Sequence, residues 1–376
     1  MTVYVVSRSS SSSSRSSQTK TPTTTTTTTA LTVEKTAEEI NNSRMILPSA
    51  ADTAELQYYG YGGRAIPVSI DVSNDDELSA LIAKVREECG RLDAVICSAF
   101  TIPPSNNRHH HRTDEDDVSS SSSSIRDEFW KQGAAMWDAC FNVSLRGSYM
   151  TCCESVPLMI ETAKSSSSST GGRSSGSREQ QQEQGTTSST TTTSRPLIAI
   201  ISSFGAKSYT FNVAYGVSKA GTDRLVSDMA VELSKHNIDT ISIYPGIVRT
   251  ENNLEMERNG EWNAASGGLD LRNGETPQFT GRAVALLLSK TELRKSRSGT
   301  VVVVAELAKE LGFTDINGRT PSSIRDLKFL LPNFVFPMIE KQMGGGVSLP
   351  SWIKNNVPEY LLPWSVFSGG PPPTME

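Results

Sequence analysis

No run of about 18 apolar residues occurs anywhere in the chain, so a membrane-spanning helix is not expected. The richest apolar stretch, 329–339, is broken by Pro332 and Pro337. Spaced cysteine pairs are missing as well. The five cysteines (Cys89, Cys97, Cys140, Cys152, Cys153) are odd in number and show no CxxC spacing, which argues against a disulfide framework and a structural zinc site. They read as thiols in a reducing compartment, with Cys152 and Cys153 as small apolar packers on a helix. An excess of positive charge is also lacking: 36 Lys+Arg against 41 Asp+Glu leave a net charge of −5 over 376 residues. That balance disfavours nucleic acid as a partner. His109–His111 beside Asp114–Asp117 do not make a metal site, because adjacent side chains in a polar tract splay apart.

Three Ser/Thr-rich tracts, 8–29, 104–124 and 165–194, hold too little apolar surface to offset chain entropy and are expected to be disordered. A competing reading makes 1–31 an organelle transit peptide: it carries Arg8, Arg15 and Lys20 and no acid before Glu34, but lacks an amphipathic Arg-bearing helix pattern. Between the tracts, β-branched and apolar runs predict strands at 2–7, 65–70, 93–98, 196–202, 240–244 and 300–304. Helical patterns cover 31–42, 75–89, 134–162 (interrupted near Gly147 and Pro157), 215–236 and 280–289. Strands apolar on both faces alternating with helices predict an α/β fold, a doubly wound parallel sheet. The tracts fall between elements or after a strand end, where insertions do least harm. One domain over 1–364 with surface insertions, followed by a flexible tail at 365–376, is the expected organisation.

The decisive motif is Tyr215-Gly-Val-Ser-Lys219. Residues at i and i+4 share a helix face one turn apart. An ammonium held near a phenol is expected to pull its pKa down from about 10, which lets the tyrosine exchange a proton with a carbonyl or alcohol oxygen. Ile201-Ser202-Ser203 ends a strand, where ligands bind in open α/β sheets, so Ser203 can hydrogen-bond the reacting oxygen. Tyr244-Pro-Gly246 ends the next strand and leads to Thr250, converging on the same sheet edge. Gly216-Val-Ser218-Lys-Ala220 mimics part of a hydrolase nucleophile elbow, but it lacks the final glycine and sits within a helix. The aromatic, proline-rich segment 327–367 reads as packing over the core, as the lining of a bulky apolar pocket, or as a peripheral membrane contact.

With a serine pair twelve residues before the tyrosine, a Pro-Gly turn about thirty after it and Asn142-Val on the preceding helix, the chain resembles the short-chain dehydrogenase/reductase superfamily. The resemblance implies a Rossmann-like fold in which Tyr215 is the catalytic acid/base. Lys219 lowers its pKa and binds the nicotinamide ribose, Ser203 orients the substrate oxygen, and Asn142 holds a helix bulge and a proton-relaying water. It further implies that Thr250 contacts the cofactor carboxamide or phosphates and that Asp71 and Val72 border the adenine. Arg8 stands where an acid would select NAD, so NADPH is the expected cofactor. The family's first strand and Gly-rich phosphate turn would precede Thr2, making the fold N-terminally truncated and leaving a gap in mid-sheet. The family's Asn-Asn-Ala-Gly reads Cys97-Ser98-Ala99-Phe100. The expected activity is NADPH-dependent reduction of ketone or aldehyde carbonyls on small, lipophilic or steroid-like substrates. The alternative is a non-catalytic dinucleotide-fold remnant that acts as an interaction module. An intracellular setting, cytoplasmic or associated with the endoplasmic reticulum, and a homo-oligomer built on the helices bearing Asn142 and Tyr215 complete the expectations.

Overall fold

The computed structural model describes residues 2–8, 32–42, 63–101, 127–168, 195–210, 212–266, 269–343 and 348–367. The Ser/Thr-rich tracts, apart from Arg8 and the helical end 165–168, lie outside the described residues, as do His109–His111 and, save for 2–8, the transit-peptide reading. The chain divides into two compact units, Met1–Leu81 and Ile82–Glu376.

In the first unit the β-branched run β1 (Thr2–Ser7) pairs in parallel with β2 (Arg64–Ser69), Thr2 opposite Arg64 and Ser7 opposite Ser69. Helix α1 (Val33–Asn42) packs on β2 and buries Val33 and Ala37, while β2 buries Ala65 and Ile66. The Asn41 amide finishes the β2 edge: its Nδ2 donates to the Ala65 carbonyl at 2.9 Å and its Oδ1 accepts from the Ala65 N–H at 2.7 Å. One side chain thus satisfies two backbone groups that a neighbouring strand would otherwise have to pair. Helix α2 (Asp75–Cys89) follows, with three acids in its first turn, where the helix dipole favours negative charge.

The second unit holds a four-stranded parallel sheet in the order β3 (Ala94–Cys97), β4 (Leu197–Ile201), β5 (Asp239–Tyr244), β6 (Val301–Val303). Side chains along its strands alternate between the two faces, as a two-residue period requires. Ile198 and Ile200 of β4 join Met159 and Cys152 of α4 (Gly147–Ser168) and Val226 and Leu233 of α5 (Val213–Leu233). Leu197 and Ala199, with Ile241 and Ile243 of β5, face the other way. There they meet Phe279, Ala283 and Leu287 of α6 (Pro277–Ser289) and Leu307 and Ala308 of α7 (Val304–Leu311). Burial on both faces explains why these strands read as continuous apolar runs. The sheet is doubly wound. β1 and β2 form one sheet and β3 to β6 another, and among the described residues β3 has no strand partner on the side away from β4.

Two expectations need correction. The long helical pattern is not interrupted at Pro157, which is absorbed inside the α-helix; near Gly147 it changes form, a π-helical segment over Ala139–Arg146 giving way to α-helix at Gly147, and Gly133 (φ 64°, ψ −170°) kinks the chain just before the pattern begins. Of the two adjacent cysteines, Cys152 is buried but Cys153 is exposed, because consecutive helical residues point about 100° apart.

A buried ion cluster fixes the start of β5. Asp239 is fully buried, accepting from Arg195 Nη2 at 2.5 Å and Nε at 3.1 Å, with Arg294 Nε at 3.5 Å. Removing one partner of a buried cluster strands the others, so Asp239→Ala should cost about 3–5 kcal/mol. Urea unfolding of the two proteins measures it; a loss well under 1 kcal/mol would contradict this account.

Candidate functional site

Helix α5 starts where Asn212 lets it start. The Asn212 Oδ1 accepts from the Tyr215 N–H at 2.9 Å, a side-chain N-cap. Its Nδ2 donates to Gln132 Oε1 at 2.8 Å, tying the cap to helix α3 (Phe129–Asp138). Tyr215 therefore lies in the first turn of α5, beside the end of β4, where Ser203 caps a single 3-10 turn by accepting from the Gly205 N–H at 2.9 Å. The Ser203 and Tyr215 hydroxyls hydrogen-bond each other. Gly205 makes the approach fit: a Cβ there would come within 2.6 Å of Tyr215 Cε1 and 3.3 Å of Ser203 Oγ.

One turn on, Lys219 is only 5% exposed. Its Nζ donates to the Ile201 carbonyl at 3.0 Å and to Ser144 Oγ at 3.4 Å, and stands 5.9 Å from the Tyr215 ring centroid. Ser144 is carried by the π-helical segment, whose Leu145 packs so closely on α5 that a Cβ at Gly221 would lie 2.8 Å from Leu145 Cδ2. Burial lowers the Lys219 pKa to about 8, against the opposing influence of Cys140 and Asp223. The expected lowering of the Tyr215 pKa is not what this arrangement gives. Burial pushes the phenol above its ordinary value, and the Ser203 hydrogen bond offsets only part of that. The ammonium is spent on a carbonyl and a serine, not on the phenol oxygen.

A hydroxyl pair and a buried ammonium one helical turn apart at a parallel-sheet edge can exchange a proton with a carbonyl or alcohol oxygen. The short chain dehydrogenase family model matches residues 192–260, which take in β4, α5, β5 and the helix Glu251–Arg258. Dehydrogenase/reductase SDR family member 1 of Mus musculus is 28% identical over 300 residues, 78% of this chain and 80% of the relative. The Homo sapiens protein of that name is 27% identical over 307 residues, 80% and 78% of the two chains. Over residues 192–260 this chain matches the short chain dehydrogenase family, and over most of its length it is similar to these two relatives. Among solved structures, a short chain dehydrogenase from Mycobacterium thermoresistibile aligns with 86% of this chain and 83% of its own at a TM-score of 0.48 and 18% identity.

In this chain the candidate residues divide between the two units. Its second unit brings Ser203, Tyr215 and Lys219 together. Asn142 lies on the π-helical segment and is exposed, while Ser144, two residues on, meets the ammonium. Thr250 is exposed and caps Glu251–Arg258, accepting from the Asn253 N–H at 3.2 Å. In the first unit Arg8 Nη1 reaches Asp71 Oδ2 at 3.4 Å, while Asp71 Oδ1 accepts from Ser73 Oγ at 2.6 Å and Val72 sits in the same turn. The donor set beside β4 suits a nicotinamide ribose and a reacting oxygen: of the three Lys219 N–H donors two are engaged, and the Ser203 and Tyr215 hydroxyls adjoin them. Ser144, Phe100 and Gly205 escaped the sequence reading. Only Phe100 left a signal, by standing where the family has glycine.

The Pro-Gly turn after β5 is latched from below. Buried Glu275 accepts from the Gly246 N–H at 2.9 Å and from Thr280 Oγ1 at 3.0 Å. Burial raises its pKa from 4.5 to about 7, with Asp315 adding to the rise. Among the described residues, no group of three or more His, Cys, Asp or Glu could hold a metal ion, and no helix is long and apolar enough to cross a membrane.

Two predictions follow from this packing. Gly205→Ala should lose about 1–3 kcal/mol through overpacking and displace the Tyr215 ring; thermal unfolding with tyrosine fluorescence measures both, and a neutral outcome would show the ring has room. A raised carboxyl pKa means the Glu275 contribution to stability is full below pH 4.5 and is lost as pH rises through about 7. Glu275→Gln should therefore show a flatter stability profile than wild type across that window in urea titrations, whereas parallel profiles would dismiss the latch as a pH-sensitive element.

Proposed function

We propose that this chain is an NADPH-dependent reductase of ketone or aldehyde carbonyls on lipophilic substrates, organised as one dehydrogenase domain over 1–364. The observation that carries the reading is the Ser203–Tyr215 hydroxyl pair with the buried Lys219 ammonium one turn away. When bound, the reduced nicotinamide supplies the hydride to the carbonyl carbon. Tyr215 gives its proton to the carbonyl oxygen, and its raised pKa keeps it a protonated donor at neutral pH, which suits reduction. Ser203 orients that oxygen. Lys219, with a pKa near 8, is mostly cationic at pH 7 and stabilises the phenolate as the proton leaves. Asn142 lies on the π-helical segment beside Ser144 and serves the water that returns a proton to Lys219.

The cofactor assignments are Thr250 at the carboxamide or phosphates, Asp71 and Val72 at the adenine, and Arg8 at a 2′-phosphate, for which its exposed guanidinium is free to exchange Asp71. Lipophilic substrates are supported by the aromatic wall next to Ser203. The Phe204 ring stacks edge-on with Phe367 at 5.0 Å and lies 6.3 Å from Trp364, which in turn meets Tyr244 at 6.0 Å. A homo-oligomer across the helices carrying Asn142 and Tyr215 is supported by the exposed Val213 and Val217 on α5 and by exposed Trp137.

Replacing Tyr215 with Phe should lower kcat for an apolar ketone by about 10²–10⁴-fold while leaving NADPH binding, followed by its fluorescence, within about twofold. Undiminished turnover would remove Tyr215 from the chemistry. If wild type binds NADPH but reduces no carbonyl, the interaction-module alternative takes over. Arg8→Ala should weaken NADPH by about tenfold, the scale of one charge-assisted contact, and leave NADH unchanged. Equal losses for both cofactors would take Arg8 out of 2′-phosphate recognition.

A further inference from the structure

Phe100 follows the end of β3 and reaches over the catalytic pair. Its ring meets the Tyr215 ring edge-on at 5.4 Å and 77°, and the Lys219 Nζ stands 5.2 Å from its centroid, nearer than to the Tyr215 ring. Phe100 is 38% exposed and Lys219 5%: the ammonium is buried, and the ring beside it is partly open to water. Of the three Lys219 donors, the Ile201 carbonyl and Ser144 Oγ take two. The third has an aromatic face as its neighbour, a favourable but weak partner compared with a hydroxyl.

We propose that Phe100 is the access- and specificity-determining residue of this site: its ring occupies the remaining donor position of the Lys219 ammonium, so a ligand hydroxyl reaches Lys219 only by displacing it. As a claim about dinucleotides it rests on the reductase reading above; as a claim about the ammonium it stands on the ring geometry alone. The ring excludes water from a group that Cys140 faces from the π-helical segment and Asp223 from α5, Asp223 being itself engaged by Lys207, Ser242 and Tyr244. Those groups stay when Phe100 is replaced, so a change in Lys219 reports the ring. Shrinking the residue lets in water and frees the donor. A ligand bearing vicinal hydroxyls then binds without first moving an aromatic ring, and its apparent affinity rises by the population of closed sites it no longer has to open.

The experiment uses the full chain as wild type, Phe100→Ala and Phe100→Tyr. Lys219 is acetylated with acetic anhydride across a pH series and quantified by peptide mass spectrometry, and NADPH binding is measured by fluorescence. In Phe100→Ala the Lys219 titration midpoint should rise by roughly one pH unit from near 8 as the ammonium is rehydrated, and NADPH should bind about five- to tenfold more tightly. Phe100→Tyr, which keeps the ring, should match wild type in both. If the Ala variant does not fold, Phe100→Leu takes its place, with a midpoint between the two. An unmoved midpoint overturns the shielding, and weaker NADPH binding in Phe100→Ala overturns the access role. A raised midpoint with no NADPH binding in any variant upholds the ring's hold on Lys219 and counts against the dinucleotide reading instead.

Discussion

Everything at this site depends on keeping a lysine ammonium out of water. An unpaired buried cation costs several kcal/mol, and the fold supplies partners from three separate places. The end of β4 gives the Ile201 carbonyl, the π-helical segment gives Ser144, and the loop after β3 gives the face of Phe100. The π-helical widening therefore has a physical role: it places Ser144 towards α5 where Leu145 and Gly221 meet closely. The N-cap on Asn212 has the matching role on the other side, because shifting the start of α5 by one residue would rotate Tyr215 and Lys219 by about 100° away from Ser203.

Much of this was legible in the sequence, for definable reasons. Leu197–Ile201 and Asp239–Tyr244 are apolar on both faces because helices cover both, and such runs carry a strong signal. The Tyr215/Lys219 spacing is a property of any helix, and the strand end at Ser203 placed it at a sheet edge. The π-helical segment was legible only through the resemblance, which implied a helix bulge at Asn142; the residues themselves do not distinguish Ala139–Arg146 from an ordinary helix, and their pattern put the breaks near Gly147 and Pro157. The direction of the Tyr215 shift was not legible. Spacing shows that an ammonium is near, but not that a strand carbonyl and a serine have already taken it, nor how completely the phenol is buried.

The strands fall into two groups, β1 with β2 in the first unit and β3 through β6 in order in the second. In the first group the Asn41 amide closes part of the β2 edge at Ala65. Backbone hydrogen bonding has to be satisfied wherever a strand ends its ladder.

The C-terminal segment has a bearing on how the chain can be handled. Leu361 bridges Asp326, Arg325 donates to the Leu362 carbonyl at 2.9 Å and lies 4.3 Å over the Trp364 ring, and Glu306 holds that guanidinium in turn. Trp364 and Phe367 then reach the residue next to Ser203. Trimming the protein before position 360, or bulky fusion immediately after 367, would thus unseat an aromatic ring more than a hundred residues away in sequence, so a tail that looks dispensable holds Phe204, the neighbour of Ser203, in place.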